Sequence, residues 1–203
     1  PLSLESWGAD QFASDIYGWN IWGSSSDSNA DFAWLQHMVK SMDKKNGRCA
    51  VVLPQGVLFR GGKEGNIRKQ LILSDKLDCV ITLVGNLFYG AGVSACILLL
   101  NNKKPVDHQG KICLIDASTI FTAQRAKNAL NTANVEEIFK RYTDYIDVPE
   151  LVKVASLEEI AAKDYTLQVN SFIEKRIQEN ISPHEVKRDF FAALDAVAAA
   201  ETK

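Results

Sequence analysis

The feature that most constrains this fold is the short connection between two apolar segments, Asp78–Leu83 and Ser94–Asn101. The residues that join them, 84–93, include three glycines and show no helical repeat of apolar positions. Two neighbouring parallel strands need a crossover of about a dozen residues or more, usually a helix. We therefore predict that these two segments are antiparallel strands.

The flanking segments predict an α/β fold around this pair. From Asp31, apolar residues recur at steps of three and four and indicate one face of a helix. They are Phe32, Leu35, Met38, Val39 and Met42. The apolar run Arg48–Leu53 predicts a strand buried on both faces, as in a parallel sheet. A second helical pattern follows through Ile67 and Leu71, and Lys111–Asp116 predicts a further strand.

The chain becomes helical and more charged beyond Ser118. Four apolar positions indicate one face of a helix: Val135, Ile138, Phe139 and Tyr142. Ser156 to Glu159 reads as a capping box that opens another helix, and Ser182-Pro183 opens a last one. The apolar stripe of that last helix suits packing on its own domain and binding of a partner equally well. We expect two segments, 1–118 and 119–203, the second helical and a candidate for subunit docking.

Composition excludes several classes of protein. No apolar run approaches the ~20 residues of a membrane helix, so we expect no membrane association and a cytoplasmic location. The formal net charge of −2 gives no general attraction to nucleic acid, so DNA binding would need a local basic face or a partner. The four cysteines lie in apolar runs and predict buried thiols, and the three histidines have no metal-ligand spacing. We predict no metal site.

Three blocks carry a resemblance to one enzyme family. They are SNADFAWLQHMV at 28–39, RCAVVLPQGVLFRGGKEGNIRKQL at 48–71 and NLFYGAGVSACILLLNNKKP at 86–105. In this order and spacing they resemble the modification (M) subunit of type I restriction-modification systems, an adenine-specific N6 DNA methyltransferase. The resemblance implies the carboxyl half of a Rossmann-like S-adenosylmethionine-dependent methyltransferase sheet that ends in an antiparallel hairpin. It also implies S-adenosylmethionine as methyl donor. The implied partners are DNA, a specificity (S) subunit, a restriction (R) subunit and a second M subunit.

The resemblance also implies which residues are catalytic. The family has a motif of Asn, Pro, Pro and an aromatic residue, followed by a loop that often contains Trp-Gly. Trp7 and Gly8 lie at the matching distance, so Pro1 resembles the second proline, with Leu2 at the aromatic position. The catalytic asparagine and most of the cofactor site would then precede Pro1, and the chain is expected to be inactive alone. A second family aromatic, in the hairpin loop, corresponds to Phe88, with Tyr89 as the alternative.

Two further groups are candidate binding residues. In the family, the region of Asn29, Asp31 and Phe32 flanks the cofactor pocket. The glycine loop at 61–65 lacks the Gly-Lys-Ser/Thr ending of a nucleotide-binding P-loop, so we expect a helix entry there. Its basic neighbours either face the DNA backbone or form a solvated basic surface. These neighbours are Arg60, Lys63, Arg68 and Lys69.

A non-catalytic role is the alternative to the enzyme. In that interpretation the chain is a scaffold or fragment whose helical C-terminal third docks a specificity subunit. The residues upstream of Pro1 discriminate between the two, because the enzyme requires Asn-Pro there.

Overall fold

The sheet has five strands. The computed structural model describes residues 3–12, 14–88, 94–173, 187–188 and 190–192. The strands are β1 (Arg48–Pro54), β2 (Leu77–Leu83), β3 (Ala95–Asn101), β4 (Lys111–Ala117) and β5 (Val152–Ser156). Their order across the sheet is β1-β3-β2-β4-β5.

Strand β3 lies between β1 and β2 and is antiparallel to both. The prediction of an antiparallel pair from the short connection is therefore confirmed. Because β3 opposes both neighbours, β1 and β2 run in the same direction, and β4 is parallel to β2. The carboxyl ends of β1, β2 and β4 thus meet at one edge of the sheet, next to the amino end of β3.

Strand β1 differs from its prediction. Val51 and Leu53 are buried, but Ala50 and Val52 are exposed, so only one face of the strand is covered. Within the described residues β1 pairs with β3 alone and forms an edge of the sheet. The apolar run that indicated a strand buried on both faces therefore belongs to a half-covered edge strand.

Helices cover both faces of the sheet. On one face, α1 (Asp31–Ser41) and α2 (Gly62–Leu73) pack with alternate strand residues such as Val80 and Leu98 in one apolar cluster. On the other face, Ile138 of α3 (Thr132–Asp144) packs in a second cluster. The alternation of strand side chains between the two clusters is the pattern of a sheet covered on both sides.

The C-terminal segment contributes to the same sheet. Ile138 is buried on α3, whereas Val135 and Phe139 are exposed, which corrects the predicted apolar face. Strand β5, antiparallel to β4, was not predicted from the sequence. The capping box is confirmed, because the Ser156 side chain accepts from the Glu159 amide at the start of α4 (Leu157–Ala161). The two predicted segments, 1–118 and 119–203, therefore share one sheet.

Other predictions fall on the remaining residues. The start of the helix predicted to open at Ser182-Pro183 lies outside the described residues, but residues 187–188 and 190–192 are helical, and Phe190 is exposed. Three of the thiols are buried as predicted, but Cys49 is only half-buried. In the described part of the chain, no helix is long and apolar enough to cross a membrane. The same residues contain no group of three or more potential ligands that could hold a metal ion.

Candidate active-site edge of the sheet

A polar cleft of about 210 Å³ opens at the edge where β1, β2 and β4 end. In open α/β sheets, ligands bind outside the carboxyl ends of the strands. The cleft contains both polar side chains and the exposed ring of Phe59, a combination that suits a planar polar ligand. Its polar lining includes Gln55, Thr82, Ser94, Asp116, Ser118, Gln168 and Asn170.

Hydrogen bonds fix the geometry of this edge. The Gln55 side-chain amide donates to the carbonyls of Leu83 (3.3 Å) and Ala95 (3.4 Å), so it joins the end of β2 to the start of β3. Asp116, at the end of β4, accepts from the Thr82 hydroxyl at 3.3 Å and from the Ser118 amide at 3.0 Å. These hydrogen bonds therefore connect the end of β2 to the start of β3 and to the end of β4 in the absence of a ligand.

The hairpin stem presents Phe88 at this edge. Asn86 adopts a left-handed conformation with φ of 58°, which turns the chain away from β2. Two hydrogen bonds from Asn128 stabilise the turn. Its side-chain Nδ2 donates to the Gly85 carbonyl and its backbone amide donates to the Asn86 carbonyl, both at 2.9 Å. The Phe88 side chain is 39% exposed, and its role in stacking on a base stays a prediction. Tyr89 lies outside the described residues.

The loop that follows the predicted catalytic motif is anchored at several points. The Trp7 indole donates to the Ser26 carbonyl at 2.8 Å, and the Ala30 amide donates to the Leu4 carbonyl at 3.0 Å. The Ser3 amide donates to the Asp31 carboxylate at 2.9 Å. Pro1 and Leu2 lie outside the described residues, so the structure locates their neighbour Ser3 and not the motif itself.

The predicted cofactor-flanking residues lie together at the start of α1. Asn29, Asp31 and Phe32 are all buried. The Asn29 side chain accepts from the Asp31 amide at 2.9 Å, and Phe32 packs in the apolar cluster under α1. Contact of these residues with the cofactor stays a prediction.

The predicted basic surface separates into two kinds of residue. Lys63 and Lys69 are exposed. Arg60 instead pairs with the carboxylates of Asp31 (2.7 Å) and Glu64 (2.5 Å).

Arg68 is buried, donating from Nε to the Tyr165 carbonyl at 2.9 Å and from Nη1 to the Arg60 carbonyl at 2.6 Å. Burial lowers the pKa of this guanidinium. The two arginines therefore point inward, and the outward basic surface in this region is formed by Lys63 and Lys69.

An aromatic pocket of about 270 Å³ was not predicted from the sequence. Trp7 stacks on Phe12 with ring centroids 5.5 Å apart, and Trp19 meets the His37 ring edge-on at 4.7 Å. The pocket is completed by Leu4, Asp15, Asn20, Ala33 and Trp34. A signal for it exists in the sequence, because all four tryptophans fall within the first 34 residues.

Comparisons with known proteins agree on one family. A family model described as N-6 DNA Methylase matches residues 1–180. The chain is 38% identical to the type I restriction enzyme MjaVIII methylase subunit of Methanocaldococcus jannaschii, over 78% of this chain and 27% of that protein. Among solved structures, the type I restriction-modification methyltransferase subunit of Streptococcus thermophilus matches with a TM-score of 0.78 and 32% identity. That match covers 86% of this chain and 36% of the other.

A more distant structure shares the fold. The EcoKI M protein matches with a TM-score of 0.58 at 19% identity, over 89% of this chain and 44% of that one. The chain thus spans less than half the length of each of these relatives.

Proposed function

Because this chain belongs to the N-6 DNA methylase family, we propose that its protein transfers a methyl group from S-adenosylmethionine to the N6 atom of adenine in DNA. In this proposal the protein is the modification subunit of a type I restriction-modification system. The observation that carries the proposal is the exposed ring of Phe88, held at the sheet edge where β1, β2 and β4 end. That is the place where a base turned out of a duplex could reach the strand ends.

The chemistry explains what the chain must supply. The adenine amine is a poor nucleophile because its lone pair is delocalised into the ring. Acceptors from the motif's asparagine side chain and a proline carbonyl hold the amine hydrogens and direct the lone pair towards the methyl group. The loop that follows the motif in the chain is anchored, since the Ser3 amide donates to Asp31 and the Ala30 amide donates to the Leu4 carbonyl.

The target base must leave the duplex before it can react. We assign Phe88 to stack on the flipped adenine, with Tyr89 as the alternative, because its partly exposed ring can offer a face to the base. Leu2 offers an apolar contact where the family has an aromatic ring. Lys63, in the first turn of α2, and Lys69, in the second half of the helix, are assigned to DNA phosphates because both are exposed.

The described residues do not form a cofactor site by themselves. Asn29 and Asp31 engage the protein's own amides, and Phe32 is enclosed in the core. These residues therefore do not provide a set of open ligands for the cofactor. The methyl donor supplies an electrophilic methyl group when it is bound.

The proposal includes partners and a location. Type I modification subunits resemble this chain, so we assign DNA, a specificity subunit, a restriction subunit and a second modification subunit as partners, in the cytoplasm. A docking role without catalysis is the second candidate, favoured by exposed apolar side chains on α3. Val135 and Phe139 are 51% and 61% exposed there.

Methyl transfer is the direct test. The complete gene product, together with a specificity subunit of the same system, is incubated with methyl-tritiated S-adenosylmethionine and duplex DNA, and the nucleosides are separated. Label in N6-methyladenine supports the proposal. DNA binding without label supports the docking role, and label in methylcytosine contradicts the adenine assignment.

A further inference from the structure

Asp31 connects the predicted catalytic loop to the segment that enters α2. One carboxylate oxygen, Oδ1, accepts from the Ser3 amide at 2.9 Å, and the other, Oδ2, accepts from Arg60 Nη2 at 2.7 Å. The Asp31 side chain is 1% exposed. We call this pair the Asp31–Arg60 brace.

The Arg60 end of the brace is fixed in turn. Its Nε donates to Glu64 at 2.5 Å, and its backbone carbonyl accepts from Arg68 Nη1 at 2.6 Å. A planar guanidinium can bind two carboxylates in a set geometry, which a lysine ammonium cannot reproduce. The brace therefore ties Ser3 to a rigid part of the fold.

The Asp31 carboxylate forms hydrogen bonds with the loop and with Arg60, and not with the N-terminal amides of its own helix. An acidic side chain in the first turn commonly interacts with the helix N-terminus. The first amide of α1 is instead satisfied by the Asn29 side chain, and the Asp31 carboxylate directs its hydrogen bonds to Ser3 and Arg60. A second backbone bond, from the Ala30 amide to the Leu4 carbonyl, holds the same strip of the loop.

We propose that Asp31, held by Arg60, is a positioning residue for methyl transfer. Ser3 lies two residues beyond Pro1, so a fixed Ser3 amide limits where the motif can lie relative to the adenine amine. A misplacement of about 1 Å at a reacting group can cost about a hundredfold in rate. This inference rests on the proposed function, but its first test does not.

Amide hydrogen exchange on the 203-residue chain tests the brace itself. Replacing Asp31 by Ala should raise exchange at the Ser3 amide about tenfold or more, because a bond to a charged acceptor is lost. Asp31→Asn should raise it less, since the amide oxygen can still accept. Amides of β2 and β3 should keep their wild-type rates.

Asp27→Ala is the matched control. Asp27 also accepts from a loop amide, that of Ala9 at 3.1 Å, whereas the Ser3 amide donates to Asp31. Unchanged Ser3 exchange in Asp31→Ala, or an equal rise in Asp27→Ala, overturns the brace. If Asp31→Ala does not fold, Arg60→Lys takes its place, and wild-type Ser3 exchange in that variant overturns it as well.

Steady-state methylation by the complete gene product tests the positioning role. Asp31→Ala should lower kcat about a hundredfold, with KM for DNA and for S-adenosylmethionine changed less than about threefold. Asp31→Asn should recover part of the loss. A raised KM for S-adenosylmethionine at unchanged kcat would make Asp31 a cofactor ligand and overturn the inference. If the wild-type protein transfers no methyl group, the proposed function fails, while the exchange data still decide whether the brace exists.

Discussion

Tyr142 on α3 donates its hydroxyl to the carboxylate of Asp78 on β2 at 2.8 Å. Asp78 is fully buried, and its other oxygen lies 3.1 Å from His108 Nδ1. The Tyr145 hydroxyl donates to the Asp78 carbonyl at 3.3 Å. This cluster lies at the amino end of β2, opposite the candidate active-site edge, and joins α3 and the turn at 106–108 to the sheet.

We predict that Asp78→Ala destabilises the fold by about 2–4 kcal/mol, because it leaves Tyr142 and His108 without their buried acceptor. Urea unfolding followed by tryptophan fluorescence measures the change. Tyr142→Phe removes the bond to Asp78 and the longer bond that the hydroxyl accepts from Arg48 Nη2 at 3.3 Å, and it should cost about 1 kcal/mol, because Asp78 keeps its contact with His108. Equal losses in the two variants would show that His108 contributes nothing to the cluster.

The pH dependence of stability has a definite sign. Burial, followed by the hydrogen bond and charge of Asp78, raises the pKa of Tyr142 to about 12 from its usual value near 10. The folded state therefore favours the protonated phenol. This contribution is fully present below pH ~10 and is lost as the pH rises through the folded-state pKa. Absorbance titration at 295 nm should lose a late-titrating tyrosine in Tyr142→Phe, and an unchanged curve would contradict the assignment.

Replacing Phe88 by Ala in the complete gene product should impair methylation without weakening cofactor binding. Stacking of a base on an aromatic ring contributes about 1–3 kcal/mol, which corresponds to about ten- to a hundredfold in kcat/KM. Because an unpaired adenine needs less extrusion, a mismatched target should recover part of the loss. Wild-type methylation by Phe88→Ala, combined with a loss in Tyr89→Ala, would assign the stacking role to Tyr89.

Exposed Lys63 and buried Arg68 should differ in the effect of their replacement: the first on DNA binding, the second on stability. Lys63→Ala should reduce the salt dependence of DNA binding by about one charge, a change of ~0.9 in the slope of log K against log salt, with stability unchanged. Arg68→Met should instead lower stability, because the Tyr165 and Arg60 carbonyls lose their donor. Fluorescence anisotropy with labelled duplex and urea unfolding separate the two effects. A salt slope that drops in Arg68→Met alone would reverse this assignment.

Features encoded by adjacent residues were predictable from the sequence. The length of the connection at 84–93 determined the antiparallel pairing of β2 with β3, because chain geometry leaves no room for a crossover. The spacing of apolar residues located α1, and the Ser156–Glu159 pattern located the start of α4.

Features that depend on distant partners were not predictable in this way. Strand β5 has five residues, and its strand conformation comes from pairing with β4. The inward direction of Arg60 depends on Asp31, 29 residues earlier in the chain. In the local sequence Arg60 is simply one of several basic residues beside a glycine turn, so the pattern favoured a surface role.

The insertion of β3 between β1 and β2 constrains how this chain can fold during synthesis. Pro54, at the end of β1, pairs with Ala95, so β1 has no partner within the described sheet until about forty further residues have left the ribosome. The edge of β2 that pairs with β3 is also without its partner until β3 has been synthesised. Such long sequence separations slow folding, because loop closure must precede the contacts that stabilise it. We therefore expect nascent chains that stop before Ala95 to expose both strands and to be captured by chaperones, and protease resistance to appear abruptly once β3 is complete.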